Sequence, residues 1–565
     1  MISNKKHIHQ LAALLLKKGI TDIVISPGSR NAPMIHTFHG IAGFNCRNIV
    51  DERSAAYFAM GLSLAKQKPV VIVCTSGTAT LNYAPAIAEA FYQNIPLIVL
   101  TADRPDYWID QLESQCIRQE GIYHNFVKKE VNLPLGESDK ELWLAARQIN
   151  ECLNLAVSGI PAPVHINIPL EEPLHQLINI ELPEVKEIGI VAVKPKISEA
   201  ERYRLGEIIG QSKKIMVLVG QMNSTPALEK GLVAFVEKTG AVVLNEYLSN
   251  LNDKRFIRGI DTMMAAILGE NSVDFCPDLL ISLGGQFVSK SLKQFLRKNI
   301  PAEHWHLSLS AEHFDTYQSL TKVVQTEAAD FFESLAGQEI QTSSDYLKLW
   351  KSKENRVNQL RDEFVAGSEF SDLKIFGLVN QAIPEDSVVH LGNSSPVRYS
   401  LILNRVNKAE YYSNRGTAGI DGCLSTAVGF ASESDKINTV IVGDLSFFYD
   451  SNALWNKYIG ENLRIIVIHN GGGNIFSMIK GPGETPAFQE HFFTENTHKA
   501  EGLAKAFGLE YFSASNENEL NQVLTQFYSP LQKAAVLEVF TDAEVNVKVF
   551  RELFKQVKTS LNEFQ

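Results

Sequence analysis

This sequence predicts an α/β protein with three doubly wound, mostly parallel sheets, and three observations carry the prediction. Short Val- and Ile-rich runs recur between helix-like segments, as they do where strands are buried on both faces by helices. The residues just after those runs are small, polar or glycine-rich, which is where an open α/β sheet places its ligand crevice. The chain of 565 residues is 45% hydrophobic and 21% charged, enough apolar material for several cores and too much for a small binding module or a disordered chain.

The elements follow in order. TDIVIS, PVVIVC, PLIVLT and PVHINIP alternate with helical stretches and close a first block at residues 1–182. A charged, Pro-containing stretch from 170 to 198 has no periodicity and reads as a linker. The second block, 183–340, repeats the pattern with KKIMVLVG, AVVLNEY, DLLISLGG and HWHLSLS, with helices through Phe235 and around Leu292. After the polar stretch from 337 to 355, the third block, 341–565, runs through SVVHLGN, YYSNRG, NTVIVGD, NLRIIVIHN and AAVLEVF. Any kinship between the first and third blocks lies in architecture, since no short repeat is visible.

Charge and cysteine usage exclude several classes. Lys plus Arg number 53 against 64 Asp plus Glu, a formal charge of −11 that opposes the basic footprint of a nucleic-acid binder. The six cysteines are scattered without CxxC pairs or metal spacing, as in a reduced protein. No run approaches the roughly 18 apolar residues of a membrane span, and the apolar stretch near the N-terminus is short and helical in period. The expectation is a cytoplasmic protein with neither nucleic-acid nor membrane partners.

Two constellations carry chemistry. GDLS at 443–446 and HNGGGN at 469–474 end successive strands, so Asp444, the Asn470 amide oxygen and the Gly472 carbonyl can supply oxygen ligands to one divalent cation, with a diphosphate and water completing it. The glycines let backbone approach phosphates closely. Each motif alone reads equally as a strand-end turn, and it is their order and spacing that favours the metal. The second constellation is Asp51-Glu52-Arg53-Ser54 at the start of an apolar helix. Glu52 there reads either as an acid favoured by the helix dipole or as a carboxylate in apolar surroundings that shares a proton with a nitrogen heterocycle.

A metal and diphosphate motif late in the chain, a lone Glu at a helix start early in it, and an α/β spacer between them resemble the thiamine-diphosphate-dependent enzymes over nearly the whole length. SPGSRNAP (26–33), DERSAAYFAMGL (51–62), TSGTA (75–79), TADRP (101–105), YSNRGTAGIDG (412–422) and GDLSFFYD (443–450) resemble the menaquinone-biosynthesis branch of that superfamily. The resemblance implies a pyrimidine-binding first domain, a central domain and a diphosphate-binding third domain. It implies thiamine diphosphate with Mg²⁺ or Mn²⁺, and a decarboxylating carboligase of the transferase class. Its substrates would be the dicarboxylates 2-oxoglutarate and isochorismate, and its assembly a homodimer or dimer of dimers with shared active sites.

Residue by residue, the resemblance makes Glu52 the partner of the cofactor aminopyrimidine. Ser394, Ile420, Asp444, Leu445, Ser446, Asn470, Gly472, Ile475 and Phe476 would bind the cofactor, with Ile420 as an apolar wedge. Arg30, Arg104, Lys290, Arg398 and Arg415 match positions for substrate carboxylates, with Ser29 and Gln115 as weaker matches, and Arg30 and Arg415 count with Glu52 as catalytic. Arginine suits the task because its planar fork grips a carboxylate through two hydrogen bonds. Leu445 replaces the third glycine of the usual GDG, His469 precedes Asn470, and Ser114 and Ser291 stand where Asn and Arg are expected. The apolar 54–65 helix suits burial at an interface between copies.

Two alternatives remain at this stage. One is an acetohydroxyacid-synthase-like carboligase or 2-oxoacid decarboxylase for smaller monoacids, which predicts few site arginines. The other is a non-catalytic dinucleotide-binding protein, which predicts a GxGxxG after a strand that this sequence lacks.

Overall fold

The computed structural model describes residues 1–268, 272–336, 338, 340, 342–478 and 481–560. The expected boundary after residue 340 falls beside residue 341, which lies outside the described residues, as do residues 337 and 339 of the polar stretch. The chain forms two compact units. Unit 1 contains residues 1–192, 414–438 and 448–463, and unit 2 the remainder.

Unit 1 carries a six-stranded sheet in the order Asn45–Asn48, Asp22–Ile25, Val70–Cys74, Leu97–Asp103, Val164–Pro169, Glu130–Asn132. Its described pairings are all parallel. The Val70–Cys74 and Leu97–Asp103 strands are buried at every position, because β-branched and aliphatic side chains face helices on both sides. The polar stretch after Pro169 is tied onto this unit: Leu177–Ile178 pairs with Ile2–Ser3, and Val185 joins the core.

Unit 2 carries the other two large sheets. The central sheet runs Val242–Asn245, Ile215–Val219, Leu279–Leu283, Glu303–Ser308, Lys322–Gln325, all parallel. The last sheet runs Glu410–Tyr412, Ser387–Leu391, Ile437–Gly443, Leu463–His469, Ala535–Phe540, Glu510–Ala514. Counted in chain order within each sheet, the first and last sheets share one arrangement: second, first, third, fourth, sixth, fifth strand. The α/β prediction with three doubly wound sheets holds, and the architectural kinship of the outer blocks is real.

In both outer sheets the strand order reverses between the first and third strands, which places the crevice at the loops that follow them. Those loops are SPGSR and TSGTA in the first sheet and GNSSPVR and DLSFF in the last.

The helix Glu52–Lys66 packs within unit 1 against the helix Cys423–Ala431. The approach is close because glycines face the opposing backbone: a Cβ on Gly61 would lie 1.9 Å from the Thr426 carbonyl oxygen, and one on Gly429 would lie 2.0 Å from that of Phe58. This corrects one expectation. The apolar surface of the 54–65 helix is covered by its own chain, so it gives no argument for a second copy. All six cysteines are free thiols, with Cys74, Cys152 and Cys423 buried and Cys46, Cys116 and Cys276 half-buried.

Candidate active site

In unit 2, Asp444 and Asn470 stand at the ends of adjacent strands, as their spacing predicts. Asp444 is buried, and burial pushes its carboxyl up to about 6 against the pull of the Leu445 amide, His469 and Asn496. The Asn496 amide donates to Asp444 Oδ2 at 3.3 Å while its backbone N–H donates to the Gly471 carbonyl at 2.9 Å, so one residue ties the two motifs together. The Asn470 amide group donates to Asp372 at 2.8 Å, which fixes its rotamer and leaves Oδ1 buried without a hydrogen-bond partner. Asp372 is in turn held by Thr541 at 2.6 Å and Asn546 at 2.9 Å.

This arrangement fits a divalent cation on a diphosphate. An orphaned buried amide oxygen and a carboxylate whose charge is costly in its surroundings are both satisfied by a hard cation. Gly472 has φ +152°, and a Cβ there would lie 2.5 Å from the Phe493 carbonyl oxygen, so the turn admits only glycine without rearrangement. Leu445 is half-buried and Ser446 buried, both in the first turn after Asp444. Ser394 sits at φ +71°, ψ −122°, a strained backbone for any residue but glycine, in the loop after Ser387–Leu391. Such strain persists where the surroundings enforce it, typically at ligand sites. Ile475 and Phe476 open the short helix Ile475–Met478, with Phe476 edge-on to Phe492 at 5.7 Å. Lys290 begins the helix Lys290–Lys298 and Arg398 lies in Ser395–Tyr399, both exposed.

In unit 1, Asp51 caps the Glu52 helix by accepting from Ser54 N at 2.9 Å. The capping role is thereby filled by the neighbour, and Glu52 is half-buried with Asn82 donating to it at 3.5 Å. Of the two readings of Glu52, the apolar surroundings are therefore only partial. Arg30 is buried: it donates to the Leu170 carbonyl at 2.9 Å and approaches Glu172 at 3.4 Å. Burial and the like charge of Arg104 lower its pKa. Arg104 reaches the Ser114 carbonyl at 3.1 Å and Glu113 at 3.4 Å. Burial pushes the Asp103 carboxyl up to about 6, against the pull of Asn167, the Arg104 backbone N–H and the Arg30 charge. Ser114 thus serves Arg104 through its backbone, for which its side chain is irrelevant. Ser29 is exposed, and Gln115, also exposed, donates to the Ser76 carbonyl at 3.2 Å from a left-handed backbone, φ +55°.

Arg415 and Ile420 lie on a loop of unit 1 held by buried Glu89, whose carboxylate accepts from the Gly416 and Thr417 backbone N–H groups and the Thr417 hydroxyl, each at 2.6 Å. Tyr57, on the Glu52 helix, donates to Asp421 on the same loop at 3.0 Å.

Sequence reasoning missed Asp372, Asn496 and Glu89. Glu89 had a readable signal, a single acid within an apolar helical run, which implies a buried and partnered carboxylate. Asp372 and Asn496 had none, lying 98 and 26 residues from Asn470 in segments without a strand-end motif.

Three family models match in series: the thiamine pyrophosphate enzyme N-terminal TPP-binding domain over residues 6–123, the middle domain of thiamine pyrophosphate enzymes over 204–391, and the C-terminal TPP-binding domain over 394–539. The 2-succinyl-5-enolpyruvyl-6-hydroxy-3-cyclohexene-1-carboxylate synthase of Bacteroides thetaiotaomicron is 39% identical over 99% of this chain and 100% of its own. The chain belongs to this synthase family of thiamine-diphosphate-dependent enzymes. The proteins of that name from Flavobacterium johnsoniae (39% identical, 96% of this chain and 97% of the relative) and Porphyromonas gingivalis (38%, 98% of each) agree. As a family member the chain is a thiamine-diphosphate-dependent enzyme of the transferase class, acting on small molecules, as the motifs imply. Among the described residues no helix is long and apolar enough to cross a membrane.

Proposed function

We propose that the enzyme decarboxylates 2-oxoglutarate and adds the resulting succinyl unit 1,4 to isochorismate, releasing CO₂, in menaquinone biosynthesis. The observation that supports it best is the buried metal-ready pair of unit 2, Asp444 with the orphaned Asn470 Oδ1, in a full-length relative of the named synthases. Thiamine diphosphate, when bound, supplies the electron sink for the decarboxylation. The chain's own residues bind, orient and move protons around it.

Asp444, Asn470 and the Gly472 carbonyl would hold Mg²⁺ or Mn²⁺. The glycine turn at 471–473, Ser394 and Ser446 would face the diphosphate, with Leu445, Ile475 and Phe476 as apolar wall. Glu52 would hold a proton at the aminopyrimidine, and Ile420 would supply apolar contact to the cofactor. Arg30, Arg104, Lys290, Arg398 and Arg415, with Ser29 and Gln115, would neutralise and orient substrate carboxylates. Arg30 and Arg104 are held in register by carboxylates of their own chain, the exposed Glu172 and the half-buried Glu113, which substrate carboxylates would displace. We further infer a cytoplasmic homodimer or dimer of dimers with shared active sites, and domain boundaries near 182 and 340. Sedimentation at micromolar concentration tests the assembly, a monomeric mass refuting it.

The activity test follows isochorismate absorbance with thiamine diphosphate, Mg²⁺, 2-oxoglutarate and isochorismate, each omitted in turn. Dependence on all four is expected. Cofactor-dependent CO₂ release without isochorismate consumption would reject the acceptor, and preference for pyruvate over 2-oxoglutarate would restore the smaller-monoacid alternative.

A further inference from the structure

Two carboxylates of the central block, buried Glu246 and half-buried Asp261, have no part in the proposed reaction, yet both converge on the start of the Lys290 helix. Glu246 accepts from the backbone N–H groups of Val288 at 2.7 Å and Ser289 at 2.8 Å. Asp261 accepts from the hydroxyls of Ser289 and Ser291, each at 2.5 Å, so one carboxylate oxygen holds the residues on both sides of Lys290. Ser289 also caps the helix by accepting from Leu292 N at 3.2 Å. The backbone N–H of Asp261 donates to the Leu401 carbonyl at 3.0 Å, in the turn that leaves the Arg398 helix, and the neighbouring Thr262 hydroxyl lies 3.5 Å from the Ile402 carbonyl. Asp261 is therefore the junction of the two segments that carry Lys290 and Arg398.

We propose that Asp261 is a positioning residue that fixes Lys290 and Arg398 as one grip for a substrate carboxylate. The proposal rests on the functional reading above, in which both cations bind substrate. It also accounts for Ser291, where Arg was expected: a third cation is exchanged for a hydroxyl that anchors the segment. Burial raises the Asp261 pKa, against the pull of the Ser289 and Ser291 hydroxyls and of the Arg398 charge, so both segments act on this one carboxylate. Lys290 and Arg398 are exposed, while Ser289, Ser291 and Leu401 beside them are tied to Asp261.

A structural acid and a positioning acid differ in coupling. If Asp261 acts through the two cations, its removal matters only while they are present. The test is steady-state kinetics of the full-length enzyme with thiamine diphosphate and Mg²⁺, in the parent and in a Lys290→Ala/Arg398→Ala background. Asp261→Ala should raise the KM of the substrate that the double variant also binds poorly by about tenfold, about 1.4 kcal/mol, with kcat within about threefold, the signature of lost uniform binding. In the double-variant background the same substitution should change KM by less than about twofold. Should Asp261→Ala fail to fold, Ser291→Ala, which leaves the Ser289 cap in place, should show the same pattern at about threefold. An equal change in both backgrounds, or an unchanged KM in the parent background, overturns the proposal. Absence of turnover by the parent enzyme would instead refute the substrate assignment, so the two failures are distinguishable.

Discussion

Replacing Gly61 by Ala tests whether close packing or intrinsic preference governs the Glu52 helix. Helix propensity favours Ala over Gly by about 1 kcal/mol, so the isolated helix would gain. In the folded chain the added methyl would lie 1.9 Å from the Thr426 carbonyl oxygen and 2.8 Å from Phe430 N, both backbone atoms that no rotamer change can move. Relief requires the helices to separate by about 1 Å, and overpacking of this kind costs about 3 kcal/mol, the upper end of its usual range. The net loss is about 2 kcal/mol, or about 4–8 °C in Tm for a unit of this size. Calorimetry reads the shift, and hydrogen exchange should show faster opening of the 52–66 segment. Gly210→Ala is the control. It lies near the end of the helix Glu199–Gln211 with nothing within 4 Å of its Cβ position, and it should be neutral to stabilising by up to about 1 kcal/mol. A Gly61→Ala protein that melts at or above the parent temperature would refute the packing argument.

Glu52→Gln should retain thiamine diphosphate but slow exchange of its C2 proton by about 10²–10⁴-fold, followed by NMR of the quenched cofactor; unchanged exchange removes Glu52 from the mechanism. Asp444→Ala should lose Mg²⁺-dependent retention of the cofactor in calorimetric titration, and wild-type affinity in that variant would refute the metal assignment. Asp450 is buried and accepts from the Ser425 backbone N–H and hydroxyl, each at 2.7 Å, with its carboxyl pushed up to about 7 by burial. Its folded pKa lies above the ordinary carboxylate value, so between about pH 4 and 7 the folded state binds a proton that the unfolded state has released, and stability falls as pH rises through that window. Asp450→Asn should flatten that slope in denaturation midpoints taken from pH 4 to 8, and an unchanged slope would assign the pH dependence elsewhere.

What the sequence determined alone is what depends on neighbours along the chain. Runs such as Val70–Cys74 and Leu97–Asp103 can be satisfied only between two layers of helices, so fold class and sheet number were legible. The strand-end motifs were legible for a related reason: in a parallel sheet, the residues after each strand share one edge, so Asp444 and Asn470 had to emerge together. The matches of Glu52, Arg30, Arg104, Lys290, Arg398 and Arg415 to a known pattern could likewise be read, though not what holds them.

Tertiary structure decided the supports. Asp372 orients Asn470 from 98 residues away, Asn496 joins Asp444 to the glycine turn, Glu89 clamps the Arg415 loop and Asp261 joins the Lys290 and Arg398 segments. Each is an acid or amide whose local sequence is compatible with a solvated surface. Its role exists only because folding removes it from water and obliges it to find distant partners, and hydrogen bonding of buried polar groups imposes no rule on the spacing between those partners in the chain. The covering of the Glu52 helix was undecidable for the same reason: an apolar face specifies that it will be buried, and only the close approach of Gly61 and Gly429 specifies by what.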